Sequence, residues 1–166
     1  MSVSNETERK FIIRRPGEAF LGALPHTEII QTYLIPEKED TTDRVRKRGL
    51  NGEFSFTHTK KERISPLTSI EDETEITEEE YLSLLSRQNP ELVPIEKTRY
   101  LVKSREYTFE IDIYPFWKKQ AIMEVELADE DASYVIPDGV EVIREVTGNR
   151  TYSNAAFAKN VPDEDE

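Results

Sequence analysis

The sequence contains no cysteine, no glycine-rich phosphate loop and no apolar run long enough to span a bilayer. Without cysteine the chain has no disulfide framework, no thiolate nucleophile and no cysteine metal site. Without a Walker or dinucleotide loop, anion binding at a helix N-terminus is not the expected route. No apolar signal segment is found near the N-terminus, so we expect a soluble, cytoplasmic protein with no membrane partner.

A basic excess is also missing, because 34 acidic residues outnumber 22 basic ones and the formal charge is −12. Proteins that bind a nucleic-acid backbone usually carry a basic excess, so we expect no nucleic-acid partner. The global charge still allows a local cationic pocket. At 166 residues the chain has the length of one domain. We predict a single domain over residues 1–160 and a solvated acidic tail over residues 161–166.

Most of the chain alternates apolar and polar residues with the period of a β-strand. The predicted strands cover residues 5–14, 27–35, 42–50, 53–61, 68–76, 94–103, 106–115, 119–128 and 140–146. Asn51-Gly52 separates two of them and is a strong hairpin signal. Thr77 and Glu80 form a predicted capping box before one well-marked helix, and weaker helical stretches cover residues 17–24 and 151–159. One antiparallel domain with peripheral helices is the simplest prediction.

The charged residues keep the strand period, so each set lies on one face of its strand. An antiparallel sheet with one solvated face gives the same alternation, and this is the commoner cause. A solvated face usually mixes charge signs along a strand, because opposite charges on neighbouring strands attract. Here some strands carry cations alone and others carry carboxylates alone. The sets are Arg44/Arg46/Arg48, Glu73/Glu75, Lys97/Arg99, Glu110/Asp112 and Glu124/Glu126.

Strands with one sign of charge need a ligand of the opposite sign. Arginine and lysine suit an anion with several oxygens, and carboxylates suit hard divalent cations such as Mg²⁺ or Mn²⁺. A metal-bound polyphosphate supplies both partners at once. If about eight strands close with these faces inward, the interior becomes a polar tunnel, and the apolar faces point outward under the helices.

The order of the charged strands resembles the triphosphate tunnel metalloenzyme superfamily, also called the CYTH domain superfamily. Glu6, Glu8 and Lys10 match its N-terminal Glu-x-Glu-x-Lys motif. The later matches are Tyr33 in "IIQTYL", Arg44 and Arg46 in "DRVRKR", Lys60 in "FTHTKK", Glu73 and Glu75 in "ETEI", Lys97 and Arg99 in "EKTR", Asp112 in "FEID", and Glu124 and Glu126 in "MEVEL". Two positions depart: Glu71 stands where the family often has arginine, and Gly148-Asn149 where it has Gly-Asp.

The resemblance implies an all-β-dominated fold, a closed eight-stranded antiparallel β-barrel or tunnel with a few peripheral helices. It implies a triphosphate or polyphosphate substrate bound by Lys10, Tyr33, Arg44, Arg46, Lys60, Lys97 and Arg99. The implied ligands of a Mg²⁺ or Mn²⁺ cofactor are Glu6, Glu8, Glu73, Glu75, Asp112, Glu124 and Glu126. The implied catalytic residues are Glu6, Glu8, Lys10, Glu124 and Glu126.

Metal-dependent hydrolysis of inorganic tripolyphosphate is the favoured function, because few residues are suited to gripping a base. One alternative is an adenylate cyclase that uses the same phosphate cradle and releases pyrophosphate. Another is a non-catalytic polyphosphate-binding module, although a binder alone would chiefly need the cations. His58 shares strand parity with Lys60, so we expect both side chains on the same face. A homodimer is compatible with the sequence.

Overall fold

The alternating segments form nine strands in a computed structural model that describes residues 2–165. The strands are β1 (Ser2–Arg14), β2 (His26–Tyr33), β3 (Thr41–Leu50), β4 (Glu53–Arg63), β5 (Thr68–Ile76), β6 (Ile95–Ser104), β7 (Tyr107–Ile113), β8 (Gln120–Leu127) and β9 (Val142–Glu145). The helices are α1 (Glu18–Gly22), α2 (Glu78–Leu84) and α3 (Asn154–Phe157), with 3₁₀ turns at Leu85–Arg87 and Arg150–Tyr152. Met1 and Glu166, the ends of the predicted domain and tail, lie outside the described residues.

The strands run in the order β5-β4-β3-β2-β6-β7-β8-β1-β9, and β5 also pairs with β1. That extra pairing closes eight antiparallel strands into a barrel. The long strand β1 makes closure possible, because its first half pairs with β5 and its second half with β8. The short β9 joins the edge of β1 from outside the eight. The predicted fold is confirmed.

The local signals at the turns and the helix act as the sequence predicts. Asn51 and Gly52 both have positive φ, 55° and 82°, which a tight turn between β3 and β4 requires. The capping box of α2 is complete: Glu80 N donates to Thr77 Oγ1 and Thr77 N donates to Glu80 Oε1, each at 3.1 Å. Tyr81 then packs α2 on Val45 and Phe56, which lie on the outer face of the barrel.

The apolar faces of the strands point out of the barrel and are covered there. Phe11, Phe109, Met123 and Val125 are buried in one cluster with Leu21 of α1. Partly buried apolar residues between positions 132 and 140 pack over the same cluster. Burial on this outer side supplies the hydrophobic stabilisation that an ordinary barrel gains from its interior. The interior is therefore free to carry charge.

One end of the barrel is filled rather than open. The inward faces of four strands end in apolar or aromatic side chains, namely Ile12, Ile95, Tyr114 and Ile122. These residues share a buried cluster with Trp117 and with Phe157 of α3. The charged part of the interior is thus closed at the end where β1 and β7 finish.

The acidic C-terminal residues are bound to this closed end, contrary to the predicted solvated tail. Trp117 Nε1 donates to the Pro162 carbonyl at 3.0 Å. The Glu164 carboxylate accepts from Lys118 N and Lys119 N at 2.9 and 2.6 Å. The backbone N–H groups of Lys118 and Lys119, directly before β8, donate to the carboxylate. Sequence periodicity does not reveal such contacts. No helix within residues 2–165 is long and apolar enough to cross a membrane.

Candidate active site

The barrel encloses a cavity of about 510 Å³ that is lined mostly by charged side chains. Its eight basic lining residues are Lys10, Arg44, Arg46, Arg48, Lys61, Arg63, Arg99 and Arg150. Its eight acidic lining residues are Glu6, Glu8, Asp40, Glu71, Glu73, Glu110, Glu124 and Glu126. The cavity is therefore neutral overall, although the whole chain carries −12.

The two signs of charge lie on opposite walls of the cavity. In the closed order of eight strands, β3 and β8 are four strands apart in either direction. The arginines of β3, at positions 44, 46 and 48, therefore face Glu124 and Glu126 of β8 across the interior. Glu6 and Glu8 of β1 extend the acidic wall beside β8. The geometry confirms that the sorted charges converge on one enclosed space.

Three of the eight cations that line the cavity are already paired with carboxylates. Lys10 Nζ lies 3.7 Å from Glu124, and Lys61 Nζ lies 3.4 and 3.8 Å from Glu6 and Glu8. Arg99 binds Asp112, and also Glu110 at 3.1 Å.

The arginines of β3 differ, because Arg44, Arg46 and Arg48 have no carboxylate partner within 4.0 Å among residues 2–165. Arg44 Nε is buried without any hydrogen-bond partner in the same range of residues. Burial, together with the nearby charges of Arg44 and Arg99, lowers the pKa of Arg46 to about 9. Uncompensated positive charge in a buried place favours the binding of an anion.

On the acidic wall, the pKa values of three glutamates are raised. Burial raises the pKa of Glu124, and the neighbouring Glu8 raises it further through its charge and a hydrogen bond. Burial also raises the pKa of Glu6, which is in hydrogen-bonding contact with Glu71. Burial, and then the charge of Glu6, raise the pKa of Glu126. A bound cation would relieve this crowding of carboxylates.

The carboxylates fit a divalent cation that shares its coordination with a substrate. Within residues 2–165 no group of three or more acidic or histidine side chains is close enough to enclose a metal ion. Mg²⁺ normally keeps several waters and takes only one or two carboxylates together with substrate phosphates. The Glu8–Glu124 contact offers such a pair, with oxygen donors of the preferred kind.

Lys97 and Asp112 lie below the cavity and do not line it. Their side chains are 0% and 1% exposed, and Lys97 Nζ is 2.8 Å from Asp112 Oδ2. Arg99 binds the same carboxylate with two bonds of 2.7 and 2.9 Å. Burial works against the charge on Asp112, but Arg99 and Lys97 outweigh it and hold its pKa well below the usual range. This buried ion cluster forms the floor of the cavity.

The sequence-based choice of Lys60 as a cavity residue is wrong, and Lys61 takes its place. Lys60 points outward, with its side chain 47% exposed and its Nζ 3.7 Å from Glu37. His58, predicted to share its face, also points outward and contacts Asp43. The pairing of β3 with β4 explains the error: Arg44 lies opposite Thr59, so odd-numbered residues of β4 face inward.

The other predicted site residues divide clearly by position. The cavity is lined by Glu6, Glu8, Lys10, Tyr33, Arg44, Arg46, Glu73, Arg99, Glu124 and Glu126. Glu75 lies near the exposed end of β5, outside the lining. Glu71, where the family often has arginine, lines the cavity as an additional carboxylate. Gly148 and Asn149 line its rim, and Arg63 holds them there by donating to the Gly148 carbonyl at 2.5 Å.

The raised pKa of Glu124 leads to a stability prediction. A folded-state pKa above the ordinary 4.5 favours folding while the carboxyl is protonated, and this advantage is lost as pH rises through the folded value. Glu124→Gln cannot ionise, so without divalent ions its Tm relative to the parent should be higher at pH 7.5 than at pH 4.5. Thermal unfolding at both pH values measures this. An equal difference at both would contradict the raised pKa; Glu75→Gln is the exposed control.

This combination of a closed antiparallel barrel and a cavity with cations and carboxylates on opposite walls is the architecture of the triphosphate tunnel metalloenzymes. The chain's structural neighbours include an inorganic triphosphatase and are consistent with a member of that superfamily. The inorganic triphosphatase NE1496 is 26% identical, with a TM-score of 0.59, over 95% of this chain and 97% of its own. Neither a family model nor a curated protein sequence matches the chain.

Two further solved structures share the fold at lower identity. PH1819 from Pyrococcus horikoshii OT3 is 23% identical with a TM-score of 0.56, over 76% of this chain and 80% of its own. HpAC1 from Hippeastrum, an adenylyl cyclase candidate described as having a dominant triphosphatase activity, is 16% identical with a TM-score of 0.51. That match covers 74% of this chain and 80% of the Hippeastrum protein.

Proposed function

We propose that this protein hydrolyses inorganic tripolyphosphate with the help of Mg²⁺ or Mn²⁺. The observation that carries the proposal is the row of Arg44, Arg46 and Arg48, which has no carboxylate partner among residues 2–165 and lies opposite a wall of crowded glutamates. A guanidinium presents forked donors that match phosphate oxygens, so three in a row suit a chain of phosphoryl groups. The triphosphatase NE1496, which matches over nearly the whole chain, supports this class of reaction.

The cavity residues contribute positioning and electrostatic stabilisation. The β3 arginines hold the phosphate chain, and Lys10 and Lys61 lie between it and the acidic wall. Water adds to the terminal phosphorus, the bridging P–O bond breaks, and the products are orthophosphate and pyrophosphate. Fixed positive charges stabilise the charge that develops on the phosphoryl oxygens. The reaction needs no side-chain nucleophile.

Glu8 and Glu124 are the residues that we expect to hold a divalent cation, with Glu6 and Glu126 beside them. Such a cation supplies charge neutralisation of the phosphoryl oxygens and a lowered pKa of bound water. The neutral cavity supports this requirement. A triphosphate alone would leave the interior strongly negative, whereas cations bound with it restore the balance.

The cavity favours an inorganic substrate over a nucleotide. Tyr33 is the one aromatic side chain that lines the cavity in the part of the chain that the structure describes. It is buried, and its hydroxyl contacts Gln31 at 3.2 Å, so its ring is not a free stacking surface. An adenylate cyclase would need a place for the base.

One assay tests the proposal against both alternatives. The purified chain is incubated with tripolyphosphate or ATP, with Mg²⁺, Mn²⁺ or EDTA, and orthophosphate, pyrophosphate and cyclic AMP are quantified. We expect equal orthophosphate and pyrophosphate from tripolyphosphate, and no release with EDTA. Cyclic AMP from ATP would instead identify a cyclase. Binding of tripolyphosphate without turnover under either metal would identify a binding module.

Lys61 and Lys60 give an internal comparison of the two faces of β4. Lys61→Ala removes the ammonium that bridges Glu6 and Glu8, so we expect KM for tripolyphosphate to rise about tenfold. Lys60→Ala removes a charge from the outer surface and should leave KM and kcat within twofold of the parent. Steady-state kinetics decide the matter. A larger effect at Lys60 would contradict the register of β4.

A further inference from the structure

The inward face of β2 is uncharged, although it lies beside the arginine strand. Gln31 lies opposite Arg46 and Tyr33 lies opposite Arg44 in the pairing of β2 with β3. Thr27 lies on the same face of β2, four residues before Gln31. Two of the β3 arginines, Arg46 and Arg48, therefore contact a neighbouring strand that offers oxygen acceptors without negative charge.

Gln31 makes a two-donor contact with Arg46. Its side chain is fully buried, and its Oε1 accepts from Arg46 Nε at 3.0 Å and from a terminal guanidinium nitrogen at 2.6 Å. Its Nε2 donates to the Tyr33 hydroxyl at 3.2 Å, which fixes the orientation of the amide. Arg48 Nε makes a similar neutral contact, to Thr27 Oγ1 at 2.9 Å.

The same barrel contains the charged equivalent of this contact. Arg99 donates from Nε and a terminal nitrogen to the Asp112 carboxylate at 2.7 and 2.9 Å. Burial opposes the charge on Arg99, but Asp112 outweighs it, so the pKa of Arg99 is raised well above its ordinary value. The pKa of Arg46, with burial as the leading cause and a neutral acceptor, is lowered to about 9. One guanidinium is neutralised by its partner, and the other is only oriented.

We propose that Gln31 is a positioning residue that orients Arg46 for an anionic substrate without neutralising it, and that Thr27 does the same for Arg48. The inference rests on the proposed function of the cavity. It adds that β2, which carries Gln31 and Thr27, sets the affinity of the cavity for an anion. An amide oxygen accepts the same two guanidinium hydrogen bonds as a carboxylate oxygen, at almost the same side-chain size and without the negative charge. A carboxylate at either position would compete with phosphate for the same arginine.

The test compares Gln31→Glu with Gln31→Met and with Gln120→Glu. Gln120 is a buried glutamine at the closed end of the barrel, where its Oε1 accepts from Asp165 N and contacts no cation. Tripolyphosphate Kd is measured by calorimetry without metal, and Tm is measured without ligand. Thr27→Asp, at a less buried position, provides a second charge insertion if Gln31→Glu does not fold.

We expect Gln31→Glu to raise Kd at least ~10-fold while Tm stays at or above that of the parent, because the new carboxylate pairs with Arg46. Gln31→Met should lower Tm and should weaken binding less than Gln31→Glu does. It removes the bonds that orient Arg46 but leaves the positive charge of Arg46 without a carboxylate partner. Thr27→Asp should weaken binding in the same direction as Gln31→Glu. Gln120→Glu should lower Tm and leave Kd within twofold.

The inference is overturned if Gln31→Glu binds tripolyphosphate within twofold of the parent. It is also overturned if Gln31→Glu loses as much Tm as Gln120→Glu, because affinity would then follow stability. A parent that neither binds nor hydrolyses tripolyphosphate would refute the proposed function instead. The ligand-free Tm order would still decide whether Arg46 carries an uncompensated charge beside Gln31.

Discussion

Glu8→Gln is expected to lower kcat for tripolyphosphate by about 10²–10³-fold and to leave binding of the anion almost unchanged. The substitution keeps the size of the side chain and removes the charge that faces Glu124 and Lys61. A carboxylate pair reduced to one member should hold a divalent cation poorly. In the proposed function the anion binds mainly to the arginines of the opposite wall, so we expect its Kd to depend little on Glu8.

The measurement for Glu8→Gln needs three readouts. Steady-state kinetics give kcat over a range of Mg²⁺ concentrations, calorimetry without metal gives the tripolyphosphate Kd, and thermal unfolding confirms folding. Glu75→Gln is the matched control, because it makes the same chemical change on an exposed residue outside the cavity. A Glu8→Gln variant with the parent's kcat and Mg²⁺ dependence would remove this residue from the proposed metal site.

The charge pattern of the sequence indicated a shared polar interior, and the resemblance to the triphosphate tunnel metalloenzymes implied the closed barrel. Like charges at spacing two on separate strands are costly unless they face a shared interior, and the structure places them there. Strand faces are a local property, and ten of the fourteen predicted site residues line the cavity. Alternation along single strands indicated which face of each strand carries the charges, and the order of the motifs along the chain carried the resemblance.

Lys60 was assigned wrongly because β4 contains two adjacent lysines, Lys60 and Lys61. Alternation alone allows either of them to face the interior. The hairpin at Asn51-Gly52 contains the information that resolves this choice. Residues opposite each other in an antiparallel pair share a face, so inward arginines on β3 require inward odd positions on β4. Counting outward from the two-residue turn would have selected Lys61 from the sequence.

Other features depend on contacts that alternation cannot reveal. Gln31 shares a face with Tyr33, but its role comes from its pairing with Arg46, and β2 and β3 are joined by a loop without a tight-turn signal. Asp112 was predicted as a metal ligand, yet Lys97 and Arg99 saturate its carboxylate at the floor. Such distinctions between free and neutralised charges require the three-dimensional pairing of strands.

Arg46→Ala is expected to raise the tripolyphosphate Kd by ~10²-fold, which is the largest loss of affinity that we predict for one cation. Arg46 lies in the middle of the β3 row and is half-buried. Among residues 2–165, no carboxylate lies within 4.0 Å to neutralise its charge when phosphate is absent. Its loss also removes repulsion with Arg44 and Arg99, so the ligand-free Tm should not fall as the affinity does. Calorimetry and thermal unfolding measure the two quantities separately.

Arg46→Lys tests the charge of this residue separately from the paired donors of its guanidinium. Lysine keeps the positive charge but cannot make the paired contact with Gln31 Oε1, so we expect a Kd between those of the parent and Arg46→Ala. Arg9→Ala is the control, because Arg9 lies on the outer face and pairs with Glu145. If Arg46→Ala binds tripolyphosphate no more weakly than Arg9→Ala, the β3 row is not the anion site. The neutral acceptors of β2 would then need another explanation, because an oriented, uncompensated guanidinium is costly to bury unless an anion completes it.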